Sequence, residues 1–174
     1  MDPRDGQQLC YYDFTSLYPW VNKYGKYPTK HPEFIYNPTN QNLDDYFGIA
    51  TCTVLPPSDL FHPVLPYRCG NKLVFPLCRT CAEDNIAKPL LDKPWVCDHT
   101  SEQQQLTGTW CTPELQKALN KGYTLVRIHE VWYFEHNEVG LFKDYVDMWL
   151  KIKEASGFPD NCSTDAQRQQ HVDD

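Results

Sequence analysis

Apolar and polar positions fall into a few well-marked stretches along this chain, and these predict its elements. "QQLCYYDF" (residues 7–14) is a short apolar run that reads as a buried strand. "TSLYPWVNKYG" follows as a short helix, with Thr15 or Ser16 able to cap it and Gly25 to end it. From Pro28 to Asp45 the chain is polar and rich in Pro and Asn, which predicts a loop. "FGIATCTVL" is β-like, "PPSDLFHPVLPYRCG" runs extended because its prolines forbid regular ladders, and "NKLVFP" is another short strand. "LTGTWC" is strand-like. "TPELQKALNKG" is a well-signalled helix, with Thr112 as N-cap, Pro113 first, Glu114 near the positive end and Gly122 at the stop. "YTLVRIHEVWYFE" is a long β-branched and aromatic strand. Leu141, Tyr145, Met148, Trp149 and Ile152 then recur at helical spacing, an amphipathic helix. The last stretch, "GFPDNCSTDAQRQQHVDD", is polar, carries no stop signal and reads as cut. No internal repeat is present. Strands and helices mixed in this irregular order predict an α+β fold.

Composition narrows the class. The 174 residues suit one domain or two small ones, and 41% hydrophobic with 14% aromatic content supports a real core. Fourteen prolines against eight glycines point to many fixed turns. No apolar run approaches the ~20 residues that span a bilayer, and "MDPRDGQQLC" lacks a signal-peptide pattern. The expectation is an intracellular protein that is not secreted and has no membrane partner. A formal charge of −7 argues against a free-standing nucleic-acid binder but leaves room for a local basic face.

Eight cysteines without a secretory signal read as thiols or metal ligands rather than a disulfide framework. Cys78 and Cys81 form C-x-x-C; Cys97 and His99 form C-x-H. Two close pairs of soft or borderline donors fit a closed tetrahedral Zn²⁺ site, and therefore a structural ion. Buried cysteines that merely fill core are the competing reading, less natural for paired ligands on proline-flanked loops. Cys69 and His62 are the substitutes if one ligand is misassigned. Cys10, Cys52, Cys111 and Cys162 read as core or surface thiols. A redox C-x-x-C would require a following helix in a βαβ unit, which the pattern does not offer.

"DFTSLYP" (residues 13–19) resembles motif A of family B DNA polymerases, D-x-x-S-L-Y-P. "GTWCTPELQKALNKGYTLVRIHEVWYF" is similar to the segment that returns toward the palm, and "GLFKDYVDMWLKIK" to the start of the fingers in protein-primed members. A cysteine-rich insert before "GTW" is similar to the eukaryotic virus-like and transposon branch. The resemblance implies a DNA-directed DNA polymerase, a nucleotidyltransferase acting in DNA replication on primer-template and dNTP. It implies Asp13 as a catalytic Mg²⁺ ligand, with Phe14 adding its carbonyl. It also implies nucleotide contacts from Phe14, Thr15, Ser16, Leu17, Tyr18 and Lys153, with Tyr18 as the steric gate against ribose. Amides at a helix start suit a triphosphate. Taken alone, a strand-end Asp reads as a helix cap, Tyr18 as core packing and Lys153 as a solvated helix-face lysine; the last reading stays open. Met148 departs from the basic residue of some phage relatives. Lys23, Lys26 and Lys30 offer phosphate contacts or a solvated surface.

The family's K-x-x-x-N-S-x-Y-G and D-T-D blocks do not occur, and Asp44–Asp45 and Asp173–Asp174 lie in polar tracts. The expectation is therefore a fragment of the polymerase, inactive alone. Residues 1–27 would be a palm segment and 28–137 a β-rich, zinc-stabilised insertion resembling the terminal-protein-binding region. Residues 138–174 would hold the first fingers helix and a truncated tail. Implied partners are DNA, dNTP and a priming terminal protein, at a nuclear or viral replication site. The alternative is a catalytically inactive, zinc-stabilised interaction module derived from such a polymerase. Oligomeric state is not legible.

Overall fold

The structure, a computed structural model, describes residues 10–14, 16–87, 97–157 and 162–173. In chain order the elements are α1 (Leu17–Tyr24), β1 (Lys26–Pro28), β2 (Glu33–Tyr36), a 3-10 turn at Leu43–Asp45 and β3 (Gly48–Leu55). There follow β4 (Tyr67–Cys69), β5 (Lys72–Val74), α2 (Arg79–Ala87), α3 (Ser101–Gln104) and β6 (Leu106–Cys111). The last are α4 (Thr112–Asn120), β7 (Thr124–Tyr133), β8 (Asn137–Val139), α5 (Lys143–Ser156) and α6 (Asp165–Asp173). This is a mixed α+β chain. No described helix is long and apolar enough to cross a membrane.

Two compact units emerge: Pro28–His136, and the two chain ends up to Tyr27 and from Asn137. Pro28–His136 is built on an antiparallel sheet in the order β2-β7-β3-β6. Strand alternation sends Ala50, Cys52, Val54, Leu106, Trp110, Ile128 and Val131 to one face, where Leu65, Leu115 and Ala118 join them in the core. Among the described residues no buried side-chain nitrogen or oxygen lacks a hydrogen-bond partner. Trp110 Nε1 donates to the Pro66 carbonyl at 2.8 Å, and the Gln41 carboxamide oxygen accepts from the Ile128 amide at 2.6 Å. β4 and β5 form a separate hairpin.

The unit of the chain ends contains α1, α5, α6 and the β1–β8 ribbon. It shares none of the buried core cluster, and of its described side chains Val146 is the buried apolar one. Lys23 on α1 pairs with Asp147 on α5 at 2.5 Å, and Tyr27 meets Phe142 edge-on with ring centroids 5.0 Å apart.

Several sequence expectations need correction. Cys10 to Phe14 form no strand, and Tyr11, Tyr12 and Phe14 are exposed rather than buried; no described strand pairs with them. Residues 7–9 and Thr15 lie outside the described residues. Ser16 precedes α1 in a left-handed conformation (φ 56°) and makes no side-chain cap. The 28–45 loop contains β2, which exists because "EFIY" finds a partner in β7. The cap of α4 is Cys111, one residue earlier than expected. Thr112 instead turns its hydroxyl to accept the Gly48 amide at 3.0 Å, and Glu114 accepts the Cys111 amide at 3.0 Å. The polar tail forms α6, and a helix, α2, begins within the C-x-x-C pair.

Candidate metal centre and nucleotide cleft

The cysteine cluster is assembled by two helix beginnings. Cys78 immediately precedes α2 and Cys81 lies in its first turn, so the Cys81 amide donates to Cys78 Sγ at 3.4 Å. Cys97 and His99 come just before α3, whose start is fixed by a capping box between Thr100 and Gln103. Thr80 bridges the two helices by donating to the Gln103 carbonyl at 2.9 Å.

The four donor atoms lie within 4.8 Å of one another. His99 Nδ1 sits 3.6 Å from Cys78 Sγ, 3.2 Å from Cys81 Sγ and 3.6 Å from Cys97 Sγ. With Zn–S near 2.3 Å and Zn–N near 2.0–2.1 Å, a tetrahedral site requires S···N edges of about 3.6 Å. The observed edges match that length or fall slightly short of it, so this Cys₃His set can accept a tetrahedral ion. Two further groups support the ligands. Gln104 Nε2 donates to the His99 carbonyl at 2.8 Å and approaches Cys97 Sγ at 3.6 Å. On the far side of the ring, His99 Nε2 faces Asp84 Oδ2 at 4.0 Å, the side from which a carboxylate orients a ligating imidazole. Burial opposes ionisation of the Cys97 thiol, but hydrogen bonds from His99, Cys81 and Cys78 outweigh it and bring the pKa down to about 7.

Cys69 is buried in β4 and His62 stacks edge-on against Phe61; neither joins the cluster. Cys52 is buried, Cys10 and Cys111 are exposed, and no disulfide forms. Sequence pattern alone did not reveal Asp84 and Gln104. Asp84 is three residues beyond Cys81 on α2, a signal available only once that helix is known.

In the other unit, Asp13 and Phe14 are exposed and lead into α1. They line a shallow hollow of about 340 Å³ with Ser16, Leu17, Tyr18 and Pro19. In the first turn Pro19 has no amide and the Trp20 amide bonds the Ser16 carbonyl at 3.0 Å, so the outward-facing donors are Leu17 and Tyr18. A second cleft of about 350 Å³ shares Ser16, Tyr18 and Pro19 and is walled opposite by Tyr145, Trp149 and Lys153. These three recur every four residues along α5, and Tyr18 and Asn22 do the same on α1, so each helix presents one stripe. Tyr18 is 81% exposed at the mouth. Lys23 does not face the cleft as a spare phosphate contact, because Asp147 holds it; hydrogen bonding to that carboxylate raises its pKa above the usual lysine value. Lys30 lies 3.4 Å from His136 Nε2. Thr15 falls outside the described residues.

The sequence model of the family described as "DNA polymerase type B, organellar and viral" matches residues 4–168. A curated relative, a "Probable DNA polymerase" of Neurospora intermedia, is 28% identical over 163 residues, covering 87% of this chain. The match takes in only 14% of that relative's length. No solved structure matches. With nearly its whole length matched, the chain belongs to the organellar and viral type B DNA polymerases.

Proposed function

We propose that this chain is the part of a protein-primed type B DNA polymerase that carries one metal-binding aspartate, the sugar gate and a zinc-stabilised insertion. Residues 1–27 are assigned to the palm, 28–137 to an insertion that meets DNA or a priming terminal protein, and 138–174 to the start of the fingers. The observation that carries the reading is that Tyr18 and Lys153, far apart in sequence, wall one nucleotide-sized cleft beside Asp13's hollow.

The reaction is in-line attack of a primer 3′-hydroxyl on the α-phosphate of a dNTP, forming a phosphodiester bond and releasing pyrophosphate. Mg²⁺, when bound, neutralises charge on the attacking and leaving oxygens. The exposed Asp13 carboxylate and the Phe14 carbonyl are hard oxygen donors suited to it. Among the described residues no three-acid group surrounds Asp13, so the second carboxylate is assigned to the D-T-D block of the longer enzyme. The Leu17 and Tyr18 amides meet phosphate oxygens with the α1 dipole behind them. The Tyr18 ring occupies the space of a 2′-hydroxyl and rejects ribose by clash. The Lys153 ammonium pairs with the triphosphate. Cys78, Cys81, Cys97 and His99 hold Zn²⁺, which joins two helix starts that have few apolar anchors.

The test uses the longer polymerase. Asp13→Ala abolishes nucleotide addition with the fold retained, Tyr18→Val raises ribonucleotide incorporation, and Lys153→Ala raises the KM for dNTP. Full activity in Asp13→Ala would refute the metal role, and unchanged sugar selectivity in Tyr18→Val would refute the gate.

A further inference from the structure

The sheet of the Pro28–His136 unit has a second face. Alternation opposite the core sends Thr51 and Thr53 of β3, Thr107 and Thr109 of β6, and Trp132 of β7 to that side. Thr51 bonds Thr109, and Thr53 bonds both Thr107 and His129, each at 2.8 Å, so the polar half is a fixed ladder. The other half is aromatic. Phe34 pairs directly with Trp132 across β2 and β7, their ring centroids 5.1 Å apart at 74°, and Tyr36 follows two residues along β2. These rings are not buried: Phe34 is 51%, Tyr36 67% and Trp132 42% exposed. The Trp132 indole is steadied by donating to Glu130 at 2.7 Å, which also engages the one acid on this stretch of the face.

Beyond the ends of β2 and β7 lies an open hollow of about 700 Å³ lined by Pro28, Thr29, Lys30, His31 and His136. The Thr29 amide donates to the His136 carbonyl at 3.0 Å, so the end that bears Lys30 is held in register with the strands bearing Phe34 and Trp132. Arg127 sits farther along β7, its guanidinium donating to Asn37 at 3.3 Å.

We infer that this open face is a platform for single-stranded DNA, with bases stacked on Phe34, Tyr36 and Trp132 and a phosphate drawn to Lys30, His31 and His136. Exposed rings beside a hollow that bears a lysine are the elements of sequence-tolerant single-strand binding. Phe34 and Tyr36 are roughly 7 Å apart by strand rise, about twice the 3.4 Å rise of a stacked strand. An extended single strand meets that spacing, and a rigid duplex does not. Glu33 and Glu135 stand at the same strand ends, so the positive field is local and stacking carries most of the affinity. The inference rests on the reading that the chain serves a DNA polymerase, and names the ligand of its insertion.

The experiment measures fluorescence anisotropy of a labelled oligothymidylate of about 16 nucleotides with the full 174-residue chain, without magnesium or nucleotide. Wild type binds the single strand more tightly than a duplex of equal length. Phe34→Ala and Trp132→Ala each weaken binding roughly five- to hundredfold. Lys30→Ala lowers the slope of log affinity against log salt by about 0.7, whereas Lys117→Ala, equal in charge on the exposed side of α4, does not. Should Trp132→Ala lose its circular dichroism spectrum, Tyr36→Ala on the edge strand gives the same reading. Equal affinity in all aromatic variants, tighter binding of the duplex, or a face that responds only to a priming protein overturns the platform. Because the assay involves neither Asp13 nor Tyr18, its failure is distinguishable from failure of the polymerase reading, which is decided by nucleotide addition.

Discussion

Removing the proposed zinc tests how the cysteine region is held. Cys81 and Cys97 are sixteen residues apart, and an ion joining them closes that loop in the folded state only. An ion that binds the folded ligand set and not the unfolded chain stabilises by its binding free energy, about 2.7 kcal/mol at a free concentration one hundred times its Kd. Part of the arrangement survives without metal, because Thr80 still bonds the Gln103 carbonyl and Gln104 still bonds the His99 carbonyl. Those contacts contribute ~1 kcal/mol each, and they do not involve the thiolates. The apolar core around Ile128 and Trp110 includes none of the four ligands, so apo-protein should remain folded but weakened. A loss of ~2–3 kcal/mol in a unit of roughly 100 residues lowers Tm by about 10–20 °C. Thermal melts followed by far-ultraviolet circular dichroism, with and without chelator, measure this directly. Elemental analysis should give one zinc per chain, and Cys97→Ser should reproduce the chelated melt. A chelator shift smaller than about 3 °C would show that the four side chains meet without any cross-linking ion.

Other perturbations read other parts of the molecule. A Cβ at Gly48, whose φ is +153°, would lie 2.0 Å from the Trp132 carbonyl oxygen; Gly48→Ala should cost about 3 kcal/mol in urea unfolding. Burial pushes the Cys52 thiol up to about 12. Its raised folded value means that this contribution to stability is complete below the ordinary value of 9.0 and is lost as pH climbs through the interval to about 12. Cys52 should therefore resist alkylation at pH 8 except through unfolding, while exposed Cys10 reacts without it. Lys23 is also raised, first by its hydrogen bond to Asp147, so its pairing with α5 is present below 10.5 and disappears as pH passes the folded value. Melting profiles of wild type and Lys23→Gln should converge there; parallel profiles would contradict the pairing.

The legible parts of the fold were those whose local pattern and tertiary partner agree. β3, β6 and β7 alternate or carry β-branched and aromatic residues, and α4 has proline and acid at its start with Gly122 at φ 92° after its end. The misses share a cause in context. β2 is four residues of "EFIY" inside a Pro- and Asn-rich tract, and becomes a strand only by pairing with β7. α2, "RTCAEDNIA", has no apolar stripe to announce a helix; its cysteines, read as loop ligands, lie at its beginning. Tyr11, Tyr12 and Phe14 looked buried because they are apolar, but a single chain segment does not say what will cover it. For the candidate sites, ligand identity was visible as spacing, whereas Asp84, Gln104, Asn22 and Trp149 emerge only from three-dimensional adjacency.

The 3.0 Å bond between Thr29 and His136 brings the two ends of the Pro28–His136 unit side by side. Among the described residues, its apolar interior draws on none outside those limits. Replacing residues 28–136 by a short turn from Tyr27 to Asn137 should therefore leave the helices of the remaining chain intact, as a far-ultraviolet circular dichroism spectrum would show.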